Sequence, residues 1–426
     1  MSKPCRIIGV LDNGAESLGT VSLQHIKDAD VVIGGTRTLE LFKDYFKIDC
    51  AQRDLTGALS NVPQWIQQAQ QDNLNTVVLA TGDPLCHGIA KYLIAKLGAE
   101  HCEVLPNVST IQLACAKLGV SWQETKICSV HTKDAGEWQT YAGPEHGLYT
   151  LLQSIPQHDS LAILTSPENT PDRIARMMQA ESLADGFSMS VVENIFGANE
   201  TVYRELGIRE AAQMRFASPN VVLLNRLHGS NSKTLFGLND ASFHQRKPEK
   251  GLITKREVRA VSLAHMQLRS DSVVWDIGAG SGSVGLEAAR LCPQGHVYAI
   301  EKNAPDQELI EQNRRQMGIT NYSLVHGKAP EGIELWPNPD AVFIGGSGGE
   351  LGQLIEQILS RLNIDGWLVM NFVTFENLSD ALNKLKELDA DWNVSQLQIS
   401  RSQPILHMNR LAAENPVWVV SATCKK

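Results

Sequence analysis

The sequence predicts an α/β protein of two domains in series, the second built on an open, doubly wound parallel sheet. Short apolar runs of strand length alternate with amphipathic helical patterns along most of the chain. The length of 426 residues, 43% of them apolar, is enough for at least two cores. Around residues 228–250 the texture changes: His228-Gly229-Ser230-Asn231-Ser232 is turn-rich, and His244 to Gly251 is charged and contains a proline. A linker is therefore expected at 229–250, between domains at 1–228 and 251–426.

In the first domain, apolar runs predict buried strands at 7–11, 31–34, 76–80, 127–130, 161–164 and 220–224, with helical patterns such as 63–71 and 89–97 between them. The second domain opens with Thr254-Lys255-Arg256-Glu257, which has the form of a capping box, ahead of Val258, Val261, Ala264 and Leu268 at helical spacing. Its strands are expected at 273–276, 296–300, 322–326, 341–344 and 367–372, with an antiparallel hairpin between Trp392 and about Ala422. Ligands of such a sheet bind beyond the carboxyl ends of its strands.

The most informative stretch is Val273-Val274-Trp275-Asp276-Ile277-Gly278-Ala279-Gly280-Ser281-Gly282. A strand ends in an acid and breaks into glycines, which allow a tight turn and close approach of backbone to a ligand. The helix expected from Ser283 to Leu291 then presents unsatisfied amides to negative charge. Gly280-Ser281-Gly282-Ser283-Val284-Gly285 fits G-x-G-x-x-G, and Glu301 is spaced to hold a ribose. Nicotinamide enzymes and S-adenosylmethionine (SAM) methyltransferases share these features. A carboxylate at Asp276 favours SAM, because it attracts a ligand ammonium and repels a pyrophosphate. The alternatives left open are a nicotinamide-dependent oxidoreductase and a plain structural turn, with Glu301 a surface acid at a strand end.

The net charge of −9 argues against a nucleic-acid partner, whose footprint is a basic face. The eight cysteines form no C-x-x-C pair, so neither a metal site nor a redox motif is expected, and the compartment reads as a reducing cytoplasm. The start Met1-Ser2-Lys3-Pro4-Cys5-Arg6 lacks a signal-type apolar region, and no apolar run reaches membrane-spanning length. A soluble cytoplasmic protein is expected.

Val273–Gly282, 296–303 and 362–369 resemble the successive motifs of class I SAM methyltransferases. Phe343-Ile344-Gly345-Gly346-Ser347-Gly348-Gly349-Glu350, with Gly251-Leu252-Ile253-Thr254-Lys255-Arg256-Glu257-Val258-Arg259, resembles the decarboxylating cobalt-precorrin/precorrin methyltransferase family of vitamin B12 synthesis. The first half resembles the tetrapyrrole methylase family through Thr81-Gly82-Asp83-Pro84-Leu85-Cys86-His87-Gly88, Pro106-Asn107-Val108-Ser109-Thr110-Ile111-Gln112-Leu113-Ala114 and Glu193-Asn194. It departs from that family in its first loop, Val10-Leu11-Asp12-Asn13-Gly14, and at His87, where tyrosine is common.

The resemblance implies a tetrapyrrole methylase domain of two α/β subdomains with a cleft, followed by a Rossmann-like class I methyltransferase domain. It implies one SAM per domain, a small-molecule tetrapyrrole substrate and a homo-oligomer. The implied reaction is methylation of a precorrin at C5 and C15 with loss of CO2 from the ring C acetate. Thr254, Gly278, Ala279, Gly280, Ser281, Gly282, Glu301 and Ala329 would hold the donor in the second domain. Gly9, Thr81, Gly82, Asp83, Cys86, Ser109 and Thr110 would hold it in the first. Thr254 reads equally as a helix cap and Asp83 as a turn former.

For the anionic substrate, the resemblance points to the amides of Gly346, Ser347, Gly348 and Gly349, and to Lys255 and Arg259 within a cluster that adds Arg246, Lys247, Lys250 and Arg256. A flexible connection and a solvated linker are the plain alternatives. No catalytic triad is expected, because in-line positioning alone supplies roughly 7–11 kcal/mol. A non-catalytic tetrapyrrole or nucleotide sensor is the competing reading.

Overall fold

Five parallel strands make the first sheet: β1 (Cys5–Val10), β2 (Val31–Gly34), β3 (Ala51–Asp54), β4 (Thr76–Thr81) and β5 (Cys102–Leu105), in the order β3-β2-β4-β1-β5. The computed structural model describes residues 3–131, 133–140, 142–228, 234–246 and 253–425. Ile7, Ile8, Val32, Ile33, Val77 and Val78 are fully or almost fully buried, as the near-continuous apolar runs of a parallel sheet require. The edge strand β3, Ala-Gln-Arg-Asp, is exposed throughout and has no apolar signal to predict it.

A second sheet comprises β6 (Lys126–Ser129), β7 (Ser160–Leu164), β8 (Phe187–Glu193), β9 (Thr201–Gly207) and β10 (Asn220–Arg226), ordered β6-β7-β10-β8-β9. Only β6 and β7 pair in parallel; the other pairs are antiparallel. Both sheets belong to one compact unit, made of the described residues in 1–136, 158–176 and 184–228.

The second unit takes the described residues from 229 onward together with Glu137–Gln157 and Met177–Leu183. Its sheet contains β11 (Val273–Ile277), β12 (His296–Glu301), β13 (Tyr322–His326), β14 (Ala341–Ile344), β15 (Trp367–Phe372), β16 (Asp391–Leu397) and β19 (Val417–Thr423). The order is β13-β12-β11-β14-β15-β19-β16, parallel from β13 to β15 and antiparallel around β19. Between β16 and β19, β17 (Ser400–Ile405) and β18 (Met408–Ala413) form a hairpin of their own. The predicted terminal hairpin is therefore two nested antiparallel pairs.

Alternation along β11 sends Trp275 and Ile277 into one core, with Val342, Leu354 and Ile358, and Val274 into the other, with Leu286, Ala289 and Ile310. The strand order reverses between β11 and β14, the switch point at which open α/β sheets bind ligands. No helix among the described residues is long and apolar enough to cross a membrane. The segments 229–233 and 247–252, with Lys247 and Lys250, lie outside the described residues.

Candidate functional site

In the second unit a cavity of about 660 Å³ opens at the switch point. Its floor is backbone. Gly278 and Gly280 take φ of +68° and +59°, and Gly278 donates its N–H to Ile300 O (3.0 Å), tying the turn to the end of β12. A Cβ on Gly278 would lie 2.4 Å from Gly346 O, so the turns after β11 and β14 touch backbone to backbone. No other residue fits there.

Glu301, 5% exposed, ends β12 against this floor. Its Oε2 accepts the Gly280 N–H (2.9 Å) and its Oε1 accepts the Asn303 N–H (2.9 Å). Oε1 also accepts from Asn303 Nδ2 (3.0 Å), which fills both its lone pairs, so one acceptor position, on Oε2, is left for a ligand hydroxyl. Gly346, Ser347, Gly348 and the buried Ala329 complete the predicted part of the lining. Ala279, Ser281 and Gly282 shape the turn from behind and do not line the cavity; Gly282, at φ +73°, is the N-cap of the helix Ser283–Leu291. Gly349 also lies outside the lining, next in the chain to Gly348.

Several expectations change. Asp276 faces away from the cavity, on the same strand face as Val274, and is 1% exposed beneath the helix Ser283–Leu291. Its Oδ2 accepts the Gly285 N–H (3.1 Å), and Oδ1 has no hydrogen-bond partner among the described residues. The Tyr322 hydroxyl lies close but outside hydrogen-bonding geometry. Burial pushes this carboxyl up to about 7, against the pull of the Gly285 amide. It supports the turn from below and meets no ligand ammonium.

Arg259, expected to meet substrate, is fully buried. It pairs with Glu287 (Nε–Oε1, 2.8 Å) and Asp240 (3.2 Å) and donates to the carbonyls of Thr254 (2.6 Å) and Leu238 (2.5 Å). Thr254 does not cap the following helix, Arg256–His265; Lys255 occupies the N-cap without a side-chain bond, and neither residue lines the cavity. Arg246 is held in a two-pronged pair by Asp306 (2.6 and 2.7 Å), itself 2% exposed at the cavity wall. Three charged residues that the sequence did not single out line the wall: Lys302, Lys328 and Asp306.

The first unit has a larger cavity, about 1200 Å³, walled by residues of both its sheets. Thr81, Asp83, Cys86, Ser109 and Thr110 line it as predicted. Gly9 and Gly82 lie beneath: a Cβ on Gly9 would stand 2.1 Å from Gly82 O and 2.6 Å from Asn107 N. Asp83 also makes its turn, Oδ1 accepting the Leu85 N–H (2.9 Å). Ser109 caps the helix Thr110–Leu118 in a reciprocal box with Gln112, readable in the sequence as S-x-x-Q. Further lining comes from Asp12, Arg37, His87, His131, Thr165 and Asn220. Arg37 pairs with Asp12 (2.7 Å) and reaches Thr81 Oγ1 (3.4 Å). Desolvation lowers the His131 pKa, so the ring is neutral at neutral pH. His87 holds a φ of +53°, uncommon for a non-glycine residue.

With this geometry in place, two families match the chain. Residues 6–207 match the tetrapyrrole (corrin/porphyrin) methylases, and residues 247–423 match the precorrin methyltransferase domain. A precorrin-6Y C(5,15)-methyltransferase [decarboxylating] from Sinorhizobium sp is 29% identical over 426 aligned residues, covering 96% of this chain and 94% of that protein. A cobalt-precorrin-6B C(15)-methyltransferase (decarboxylating) from Salmonella typhimurium is 38% identical over 175 residues, 41% of this chain and 89% of that protein. A crystal structure titled precorrin-6y C5,15-methyltransferase, from Geobacter metallireducens, is 37% identical, covers 45% of this chain and 97% of its own, and has a TM-score of 0.43. The chain belongs to the decarboxylating precorrin methyltransferases, with a tetrapyrrole methylase region joined to a precorrin methyltransferase region.

Proposed function

We propose that the chain methylates a precorrin at C5 and C15 and removes CO2 from the ring C acetate, using SAM bound once in each unit. The observation that carries this reading is the second unit's cavity: glycine turns at the switch point and a buried Glu301 with unused acceptor capacity, inside the region that matches the precorrin methyltransferase domain. A nucleoside fits this floor because Gly278, Gly280 and Gly346 line it with backbone, and a Cβ on Gly346 would project into open space. The same family match favours methyl transfer over the nicotinamide reading and the sensor reading.

When bound, SAM supplies the electrophilic methyl. The chain's part is to hold and to exclude. Glu301 would accept a ribose hydroxyl at Oε2 while the Gly280 amide and Asn303 keep its carboxylate fixed. Ala329 and Ile300 would pack the base and keep water out. Positioning a meso carbon in line with the methyl is worth roughly 7–11 kcal/mol, which explains a cavity without a triad. For decarboxylation, the enzyme would leave the reacting acetate poorly solvated and unpaired while holding the other carboxylates, with the conjugated ring as electron sink.

The first unit's cavity is lined by the predicted donor-binding residues Thr81, Asp83, Cys86, Ser109 and Thr110 and lies within the region that matches the tetrapyrrole methylases. We assign C5 methylation to this unit and C15 methylation with decarboxylation to the second. Incubation of the full chain with SAM and cobalt-free or cobalt-bearing precursors, followed by mass spectrometry, tests the reading. Two methyl gains with one CO2 loss are expected; recovery of unaltered precursors in both series would overturn it.

A further inference from the structure

Two lysines stand over the glycine turn that follows β14. Lys302 comes directly after β12 and Lys328 shortly after β13, and both line the second unit's cavity. Their side chains converge: a Cβ on Gly348 would lie 2.9 Å from Lys328 Cε and 3.7 Å from Lys302 Nζ. Lys328 pairs with the half-exposed Glu350 at 3.1 Å. Lys302 has no ion-pair partner among the described residues. The nearby Glu301 is held by backbone amides and Asp306 by Arg246, so the two ammonium groups have only the solvated Glu350 between them and keep donors free for an anion.

The other flank of the same turn is apolar. Ile344 is in register with Met370, so β15 runs out beside the turn at roughly the 4.8 Å spacing of neighbouring strands. The chain then continues into Val373 and Phe375, 65% and 73% exposed. The Phe375 ring packs on Trp418 at 4.9 Å, and Trp418 is held opposite Phe372 at the start of β19. Isolated apolar residues on a surface need no explanation, but three together beside a ligand cavity form a platform.

We propose that this edge of the second unit is the acceptor site, taking a flat macrocycle that carries several carboxylates. One face of the ring rests on Val373, Phe375 and Trp418, and peripheral carboxylates meet Lys302 and Lys328. This assignment rests on the methyltransferase reading above and deepens it. The carboxylate held by the lysines is not the one released: an ammonium partner stabilises the carboxylate and opposes CO2 loss, so the clamp holds a neighbouring arm. The donor also has a carboxylate, and the test separates the two sources.

Full-length Lys302→Ala, Lys328→Ala, the double variant and Phe375→Ser are compared with the parent chain. All three positions are solvent-accessible, so unchanged thermal unfolding is expected. Binding of S-adenosylhomocysteine, which keeps the donor's carboxylate and lacks the acceptor, is read by calorimetry and should stay within about twofold. KM for the tetrapyrrole should rise about tenfold in the double variant and severalfold in Phe375→Ser, with Lys328→Arg restoring most of it. Added salt should raise KM in the parent chain more than in the double variant. Weakened S-adenosylhomocysteine binding with unchanged tetrapyrrole KM would assign the lysines to the donor and overturn the proposal, as would KM values unmoved in every variant. A parent chain that binds S-adenosylhomocysteine but turns over no tetrapyrrole removes the functional reading, and this site with it.

Discussion

The first unit's cavity is walled by side chains brought from two sheets, among them the Asp12–Arg37 pair, His87, His131 and Asn220. The second unit's is floored by glycine backbone at the switch point of one sheet, with the buried Glu301 and Asp306 beside it and two exposed lysines above. The two place their rigidity differently. In the first unit, precision comes from how two sheets are held. In the second it comes from what lies under the floor: the helix Ser283–Leu291 grows out of the glycine turn and carries Glu287, which Arg259 neutralises. A site made of backbone depends on the buried groups that hold the backbone still.

That dependence gives the largest expected effect. Arg259→Ala leaves Glu287 a buried carboxylate without its counter-ion and should cost about 3–5 kcal/mol in denaturant unfolding. Lys255→Ala, on the same segment but not fully buried, should cost under about 0.5 kcal/mol. If Arg259→Ala keeps its stability and loses tetrapyrrole binding instead, the role in substrate recognition first expected of it is restored.

Asp276→Asn sharpens the contrast through pH. The native carboxyl titrates near 7 against 3.8 in the unfolded chain, so the native state retains a proton that the unfolded chain releases. Stability from this group falls as pH rises from about 3.8 to about 7. His296, whose Nδ1 lies 2.5 Å from the Tyr149 hydroxyl, runs the other way. Burial takes it from 6.5 down to about 3, so its contribution rises with pH across that window. The two slopes oppose each other in the parent chain. Asp276→Asn removes the falling one, so the variant should gain on the parent between pH 5 and pH 7.5 in thermal unfolding. A difference that does not change with pH would contradict a buried, proton-retaining carboxyl.

Gly9→Ala and Gly278→Ala test the two cavities separately. Their Cβ atoms would stand 2.1 Å from Gly82 O and 2.4 Å from Gly346 O, in each case backbone that a side chain cannot displace. Calorimetry with S-adenosylhomocysteine should show two sites in the parent chain. Each variant should weaken a different site more than tenfold, or about 1.4 kcal/mol. A single site in the parent chain would refute one donor per unit. The smallest effect is expected at Ser109→Ala, where loss of a helix cap costs about 1 kcal/mol and should lower the stability of the first unit alone.

How much could be read in advance follows the same division. β13, β14 and β15 match their expected bounds because each is a short, mostly apolar run closed by turn residues. β8 gives no strand signal although it is buried throughout: Ser188 and Ser190 interrupt its apolar run while lying in the core. Glycine turns announce themselves in sequence, since glycine takes these backbone angles without the strain they impose on other residues. Lys302, Lys328 and Asp306 do not, because they meet only through strand order. Arg259 is buried because the helix face is rotated from the one its apolar spacing predicts. The expected stripe ran through Val258, Val261, Ala264 and Leu268, whereas the buried positions are Val258, Arg259, Ser262 and Leu263. A charge beside a valine gives no sign of which way it turns.

The touching turns at Gly278 and Gly346 constrain anyone wishing to redirect this half of the enzyme toward a new acceptor. Where the two bends meet there is nothing to exchange, since Gly278 and Gly346 already carry only hydrogen. Selectivity can be rewritten only from above, at the few residues that lean over the opening, and successful redesigns should leave both bends untouched.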